Sequence, residues 1–155
     1  MKKLVLSAIL LAGTAFTSVA QVNSNAIGVR LYRASGFNGA ELSYQRGFGD
    51  NNRLEIDLSA QFSANAYSVV GAYHWDYSII EGLNWFAGPA VQFVTVGPLD
   101  FNAVGIGAQV GIEYDFNNLG APILIGLDVR PTYFFNFGDN ALQGKYAAFS
   151  ARYTF

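Results

Sequence analysis

Arg53, Glu55 and Asp57 place three charges at every second position, and the carboxylate pair among them is the spacing in this chain best suited to chemistry. On one face of an extended segment Glu55 and Asp57 would lie close enough for general acid/base work, one carboxyl giving a proton and the other taking it. Arginines share that parity at 30, 53, 130 and 152, however, and ion pairing competes with proton transfer there and prevails. The single histidine, His74, precedes Asp76 by two positions. Gly105-Ile106-Gly107 runs on to Gln109-Val110-Gly111 and imitates a dinucleotide glycine motif, but no helix follows it to receive a phosphate. The chain has no cysteine, which excludes thiolate nucleophiles, thiolate metal ligands and a disulfide framework.

The elements that must position these groups announce themselves by a two-residue period. Ile27, Val29 and Leu31 alternate with Gly28, Arg30 and Tyr32, and Ala40, Leu42 and Tyr44 with Glu41, Ser43 and Gln45. Leu54, Ile56, Leu58, Ala60 and Phe62 oppose Arg53, Glu55, Asp57, Ser59 and Gln61. The fourth segment sets Tyr67, Val69, Gly71, Tyr73 and Trp75 against Ser68, Val70, Ala72, His74 and Asp76; the fifth sets Trp85, Ala87, Pro89, Val91 and Phe93 against Asn84, Phe86, Gly88, Ala90 and Gln92. In these two, both faces carry apolar groups. The sixth places Val104 to Phe116 by alternate residues opposite Gln109, Glu113 and Asp115, and the seventh does the same from Ile123 to Phe135 opposite Asp128 and Arg130. In the last, Ala147, Phe149, Ala151, Tyr153 and Phe155 alternate with Ala148, Ser150, Arg152 and Thr154.

Every charge within a segment body falls on one face, and the exceptions, Arg33, Arg46 and Lys145, stand at segment ends where a long side chain reaches lipid headgroups. Eight such segments predict an all-β fold, an eight-stranded antiparallel up-and-down transmembrane β-barrel with its apolar face to lipid and its charged face to a narrow lumen. Aromatic girdles are expected from Tyr44, Trp75, Trp85, Tyr114, Phe116, Tyr153 and Phe155 at one rim and from Phe62, Tyr67, Phe93, Tyr133 and Phe135 at the other. Turns are predicted at 47–52, 77–82 and 117–121 on the periplasmic side, with loops at 34–37, 63–65, 95–102 and 136–144 facing outward. Pro89 and Pro131 lack a donor inside a closed ladder, so each predicts a bulge or a local gap. A lipid-modifying enzyme would need serine, histidine and acid on the lipid-facing wall, whereas His74 points inward by parity.

Lys2 and Lys3 precede an apolar run from Leu4 to Phe16, and Ser18-Val19-Ala20 offers small residues to a signal peptidase. Residues 1–20 therefore read as a cleaved signal peptide and residues 21–155 as the barrel domain; the apolar run is too short for a membrane helix. Hydrophobic content is 52%, yet no later apolar run reaches helical spanning length, which favours strands. The formal charge is −2, and losing Lys2 and Lys3 makes it more acidic, leaving no basic surface for nucleic acid.

Several stretches taken as a set carry a resemblance: Tyr44-Gln45-Arg46-Gly47-Phe48-Gly49-Asp50-Asn51-Asn52-Arg53-Leu54-Glu55, Gly82-Leu83-Asn84-Trp85-Phe86-Ala87-Gly88, Gly111-Ile112-Glu113-Tyr114-Asp115-Phe116, Asp128-Val129-Arg130-Pro131 and Arg152-Tyr153-Thr154-Phe155. Together they resemble the small outer-membrane β-barrel proteins of Bacteroidetes, across essentially the whole mature chain. The resemblance implies a bacterial outer-membrane location and transfers no catalytic residues.

The resulting expectation is a structural or envelope-integrity barrel, not an enzyme, with a lumen plugged by Arg30, Glu41, Arg53, Glu55, Asp57, His74, Glu113, Asp128, Arg130 and Arg152. Phe149, Tyr153 and Phe155 are expected to form the signal read by the barrel assembly machinery. Outer-membrane lipid and that machinery are the expected partners, the protein is expected to be a monomer, and no cofactor or metal is expected. The rival readings are a narrow transport or small-ligand-binding barrel and a lipid-modifying enzyme.

Overall fold

Ten strands follow one another in the computed structural model, which describes residues 22–34, 37–61, 65–97, 101–135, 142–143 and 147–155. The predicted signal peptide, Phe62 and Lys145 lie outside the described residues. The strands are β1 (Asn25–Ala34), β2 (Phe37–Phe48), β3 (Asn52–Gln61), β4 (Ala66–Ile80), β5 (Leu83–Val96), β6 (Phe101–Asp115), β7 (Ile123–Val129), β8 (Thr132–Phe134), β9 (Leu142–Gln143) and β10 (Ala147–Thr154). Each pairs antiparallel with its neighbours, β5 pairs with β6, and β1 pairs with β10, so the sheet closes on itself. β7 with β8 forms one stave and β9 with β10 another, and the molecule is the predicted closed eight-stranded, up-and-down antiparallel barrel.

The two-residue period explains which side of this wall each residue takes. Ile27, Val29, Leu31, Leu42, Leu54, Ile56 and Leu58 point outward and are exposed, while Arg30, Glu41, Arg53, Glu55 and Asp57 point inward and are buried. Among the buried described residues, polar and charged side chains outnumber apolar ones, the reverse of a water-soluble core. The two ambiguous segments follow the same parity, with Val70, Ala72, Phe86 and Ala90 buried inside and Tyr67, Val69, Trp75, Val91 and Phe93 outside. Aromatic pairs sit on the outer wall near the strand ends, Tyr77 stacking on Trp85 and Tyr153 on Phe155 at one end and Tyr133 meeting Phe135 at the other.

Both prolines interrupt the ladder, each in its own way. At Pro89 the β4–β5 pairing skips from Ala72↔Ala90 to Trp75↔Ala87 with no change of register, a local gap. Gly88 lies within it, and a Cβ there would fall 1.7 Å from the Tyr73 carbonyl oxygen, so only glycine permits this approach. At Pro131 the stave breaks between Val129 and Thr132. Its register with β6 is kept, from Val110↔Val129 to Gly107↔Thr132, and the Ala108 amide donates to the Pro131 carbonyl at 3.2 Å. On the other side Ala147↔Val129 gives way to Gln143↔Thr132, so the last stave spends one residue more than its neighbour across this break.

Two of the three turns at the end where β1 begins and β10 finishes are tighter than the sequence pattern predicts. β4 continues through Ile80 and β5 begins at Leu83, which shortens the expected 77–82 turn to Glu81 and Gly82, with a register irregularity between Ser78 and Ile80. Gly82 adopts φ 79°, a left-handed conformation that lets the chain reverse in so few residues. The expected 47–52 turn likewise narrows to 49–51, whereas the third, expected at 117–121, runs from 116 to 122 and holds a 3₁₀ turn over Phe116–Leu119, in which the Asp115 carboxylate accepts the Asn117 amide at 2.9 Å.

Candidate functional site: the polar lumen

β3 presents Arg53, Glu55 and Asp57 to the lumen at successive inward positions, and each is met there by a group from the far side of the barrel. Arg130 Nη1 donates to Asp57 Oδ2 at 2.6 Å from the stave diametrically opposite. Arg152 Nη2, from β10, donates to Glu55 Oε2 at 2.9 Å, and Gln109 Nε2, from β6, donates to Glu55 Oε1 at the same distance. Arg53 Nη1 reaches the other way, to Glu113 Oε1 on β6, at 2.6 Å. One extended strand is thus the hub of the interior.

Around this hub two clusters form. Toward the end away from Phe155, Arg30 donates to Glu41 Oε2 at 2.6 Å and clasps both oxygens of Asp128, its Nε lying 3.1 Å from Oδ2 and its Nη2 closer still to Oδ1. Arg130 Nη2 adds bonds of 3.0 and 2.9 Å to the two oxygens of Glu41, so one carboxylate links two guanidinium groups. Toward the terminal end, Arg152 also donates to Ser43 Oγ at 3.0 Å and Ser150 Oγ at 2.7 Å, and Gln45 donates to Glu55 Oε2 at 2.5 Å. Arg53 Nε donates to His74 Nδ1 at 3.3 Å and lies 3.4 Å from Asp76 Oδ2, while its guanidinium carbon sits 4.5 Å above the centre of the Phe86 ring. Charges so fully removed from water persist only when each is met by an opposite charge or a donor, and the contacts of Arg30 and Arg130 provide that for Asp128, Glu41 and Asp57.

All ten residues named from the sequence as lumen candidates are buried, and the structure links each of them to at least one other. Ser43, Ser150 and Asp76 join them as partners that residue-type reasoning passes over, although parity alone places them on the same face. The remaining candidates stand on the outside. Phe149, Tyr153 and Phe155 are exposed on the outer wall; the Phe155 amide donates to the Asn25 carbonyl at 3.0 Å, so the chain end is held to β1. At the terminal mouth of the lumen a polar hollow of about 510 Å³ is lined by Asn23, Ser78, Glu81, Asn84, Asp115 and Asn117. Asn23 and Asn117 bind the Asp115 carboxylate at 2.8 and 2.7 Å, tying the residues before β1 to the 3₁₀ turn.

No protein-family model and no curated protein matches the chain. Among solved structures, it is similar to a de novo designed transmembrane β-barrel, with a TM-score of 0.62 and 13% identity over 89% of this chain and 100% of the design. Neisserial surface protein A matches with a TM-score of 0.47 and 16% identity over 84% of this chain and 95% of that one. Ail, the attachment invasion locus protein of Yersinia pestis, matches with a TM-score of 0.45 and 11% identity over 86% and 97%. At these identities the likeness concerns architecture alone. The chain has the fold of a transmembrane β-barrel.

Proposed function

We propose that the protein is an integral barrel of a bacterial outer membrane with a structural or envelope-integrity role, its lumen sealed by side chains and without catalytic function. The observation that carries this reading is the Arg130–Asp57 bond across the full width of the interior, together with the Arg152–Glu55 and Arg53–Glu113 pairs that cross it at neighbouring levels. An eight-stranded barrel is just wide enough for side chains to fill, and these fill it. The exposed aliphatic wall with aromatic pairs near the strand ends supports insertion in a bilayer. His74 and Asp76, buried inside the barrel and away from the wall a lipid would touch, support the absence of lipid-modifying chemistry. In this reading residues 1–20 direct export, Phe149, Tyr153 and Phe155 are recognised by the assembly machinery, the barrel works as a monomer, and it belongs with the small Bacteroidetes barrels it resembles in sequence.

A second reading, a small-ligand-binding or narrow transport barrel, draws on the polar hollow at the terminal mouth. Single-channel recording of the purified protein in a planar bilayer separates transport from the sealed barrel. The sealed lumen gives no stable conductance. Reproducible, well-resolved openings would replace it with the transport reading.

A further inference from the structure

The outer wall is not uniform. Two apolar hollows of about 510 and 490 Å³ lie side by side on it and share Leu127, Ala147 and Ala148. They follow one cross-strand row, in which Val110 pairs with Val129, Val129 with Ala147, Ala147 with Arg33, and Arg33 with Asn38. Beside it runs a row of larger groups, Ile112, Leu127, Phe149 and Leu31, paired in the same manner. Ala147, with one methyl between Val129 and Arg33 and next to Phe149, leaves the depression that joins the two hollows. At the usual spacing of neighbouring strands, Val110 to Arg33 spans roughly 14 Å, the scale of a fatty acyl chain.

The row ends in a charge. Arg33 is exposed on the same outer face, at the end of β1 away from Phe155. The other arginines are engaged: Arg30, Arg53, Arg130 and Arg152 hold lumen carboxylates, and Arg46 donates to Asn25. Among the described residues Arg33 alone of the arginines has neither an ion pair nor a side-chain hydrogen bond. We propose that this groove is a defined site for a phosphorylated lipid of the outer leaflet, its acyl chain lying over Ala147 and its phosphate on Arg33. The proposal rests on the membrane reading above. A guanidinium presents a planar fork that fits phosphate oxygens, and an apolar groove leading to it is complementary to an amphiphile with an anionic head. A second copy of the chain fits less well, because a symmetric contact would cover two Arg33 side chains against walls that are aliphatic and aromatic around the groove.

The test is native mass spectrometry of barrels released from neutral dimyristoyl phosphatidylcholine nanodiscs doped with diphosphoryl lipid A. The parent retains one lipid A per barrel. Arg33→Gln lowers its retention about tenfold, the loss of one charge-assisted contact. Ala147→Phe, which fills the groove without touching the charge, lowers it as well, and Arg46→Gln leaves it unchanged. Lipid A stripped of its phosphates is not retained by the parent. Heat-modifiability on gels shows that each variant remains folded. Retention unchanged in folded Arg33→Gln and Ala147→Phe barrels overturns the site, as does a dimer mass in place of bound lipid. A parent chain that does not insert into nanodiscs at all removes the membrane reading itself, an outcome distinct from failed retention by an inserted barrel.

Discussion

Arg130 and Asp57, 73 residues apart in sequence, meet at 2.6 Å across the widest span of the barrel. Neither strand neighbourhood nor local turn geometry brings them together; only a closed sheet of this width does. The same guanidinium holds both oxygens of Glu41, so Arg130 links three staves at once.

Arg130→Met is expected to destabilise the folded barrel by about 3–5 kcal/mol, because it leaves Asp57 buried without its charged partner. Adding Asp57→Asn should recover part of that loss. Urea titrations of both single variants and the double variant in lipid vesicles measure the coupling, and strictly additive losses would show that the bond contributes no pairwise energy.

On the outer wall, Ile56 lies mid-strand in β3 and is exposed where acyl chains are expected. Ile56→Arg should cost about 2–4 kcal/mol in a bilayer. Ser59→Ala, which removes a 2.8 Å contact with the Ser68 hydroxyl and a hydrogen bond with Tyr32 inside the barrel, should cost less. Refolding into phosphatidylcholine vesicles at graded denaturant compares the two, and an arginine variant as stable as the parent would mean that this wall does not face lipid.

Two glycines of adjoining strands should respond oppositely to the same change. Gly88→Ala drives a methyl into the Tyr73 carbonyl and is expected to lose about 1–3 kcal/mol. Gly71→Ala projects into open space, with nothing within 4 Å of the added carbon, and should be neutral or slightly stabilising. Thermal unfolding followed by gel mobility resolves the pair.

Phe155 is exposed beyond the last strand and held by the Asn25 carbonyl. If the assembly machinery reads this end, deleting Phe155 reduces heat-modifiable, membrane-integrated protein in cells while refolding into detergent is nearly unaffected. Equal assembly of the full and truncated chains in cells would make Phe155 ordinary strand content.

Much of this architecture was legible in the residue pattern, since from Arg53 to Gln61 in β3 aliphatic residues alternate with polar and charged ones without exception and parity alone assigns the wall and the lumen. β4 and β5 were harder to read because Val70, Ala72, Phe86 and Ala90 are apolar yet turn inward, where Phe86 packs under Arg53 and against His74. Ion-pair partnership was not legible. Parity states that Glu55 faces inward, but which arginine meets it depends on strand stagger and on distances across the barrel, which no single strand encodes. Ile79 and Ile80 belong to β4 for a similar reason, since their place depends on the sharp reversal that Gly82 permits. The groove over Ala147 also depends on the register between β7 and β10.

The hub on β3 bears on how the barrel can be assembled. Glu41 meets Arg30 within the first hairpin, but Glu55 and Asp57 on β3 are made early, whereas Arg152 and Arg130, which pair with them, arrive with the last staves. A half-built sheet entering hydrocarbon would carry Glu55 and Asp57 without the arginines that meet them, so stepwise insertion of successive hairpins is penalised and the gain comes when the final strand joins the first. Contacts of such long sequence separation are slow to form, but they make closure concerted, and a barrel missing one stave has little to hold it in place.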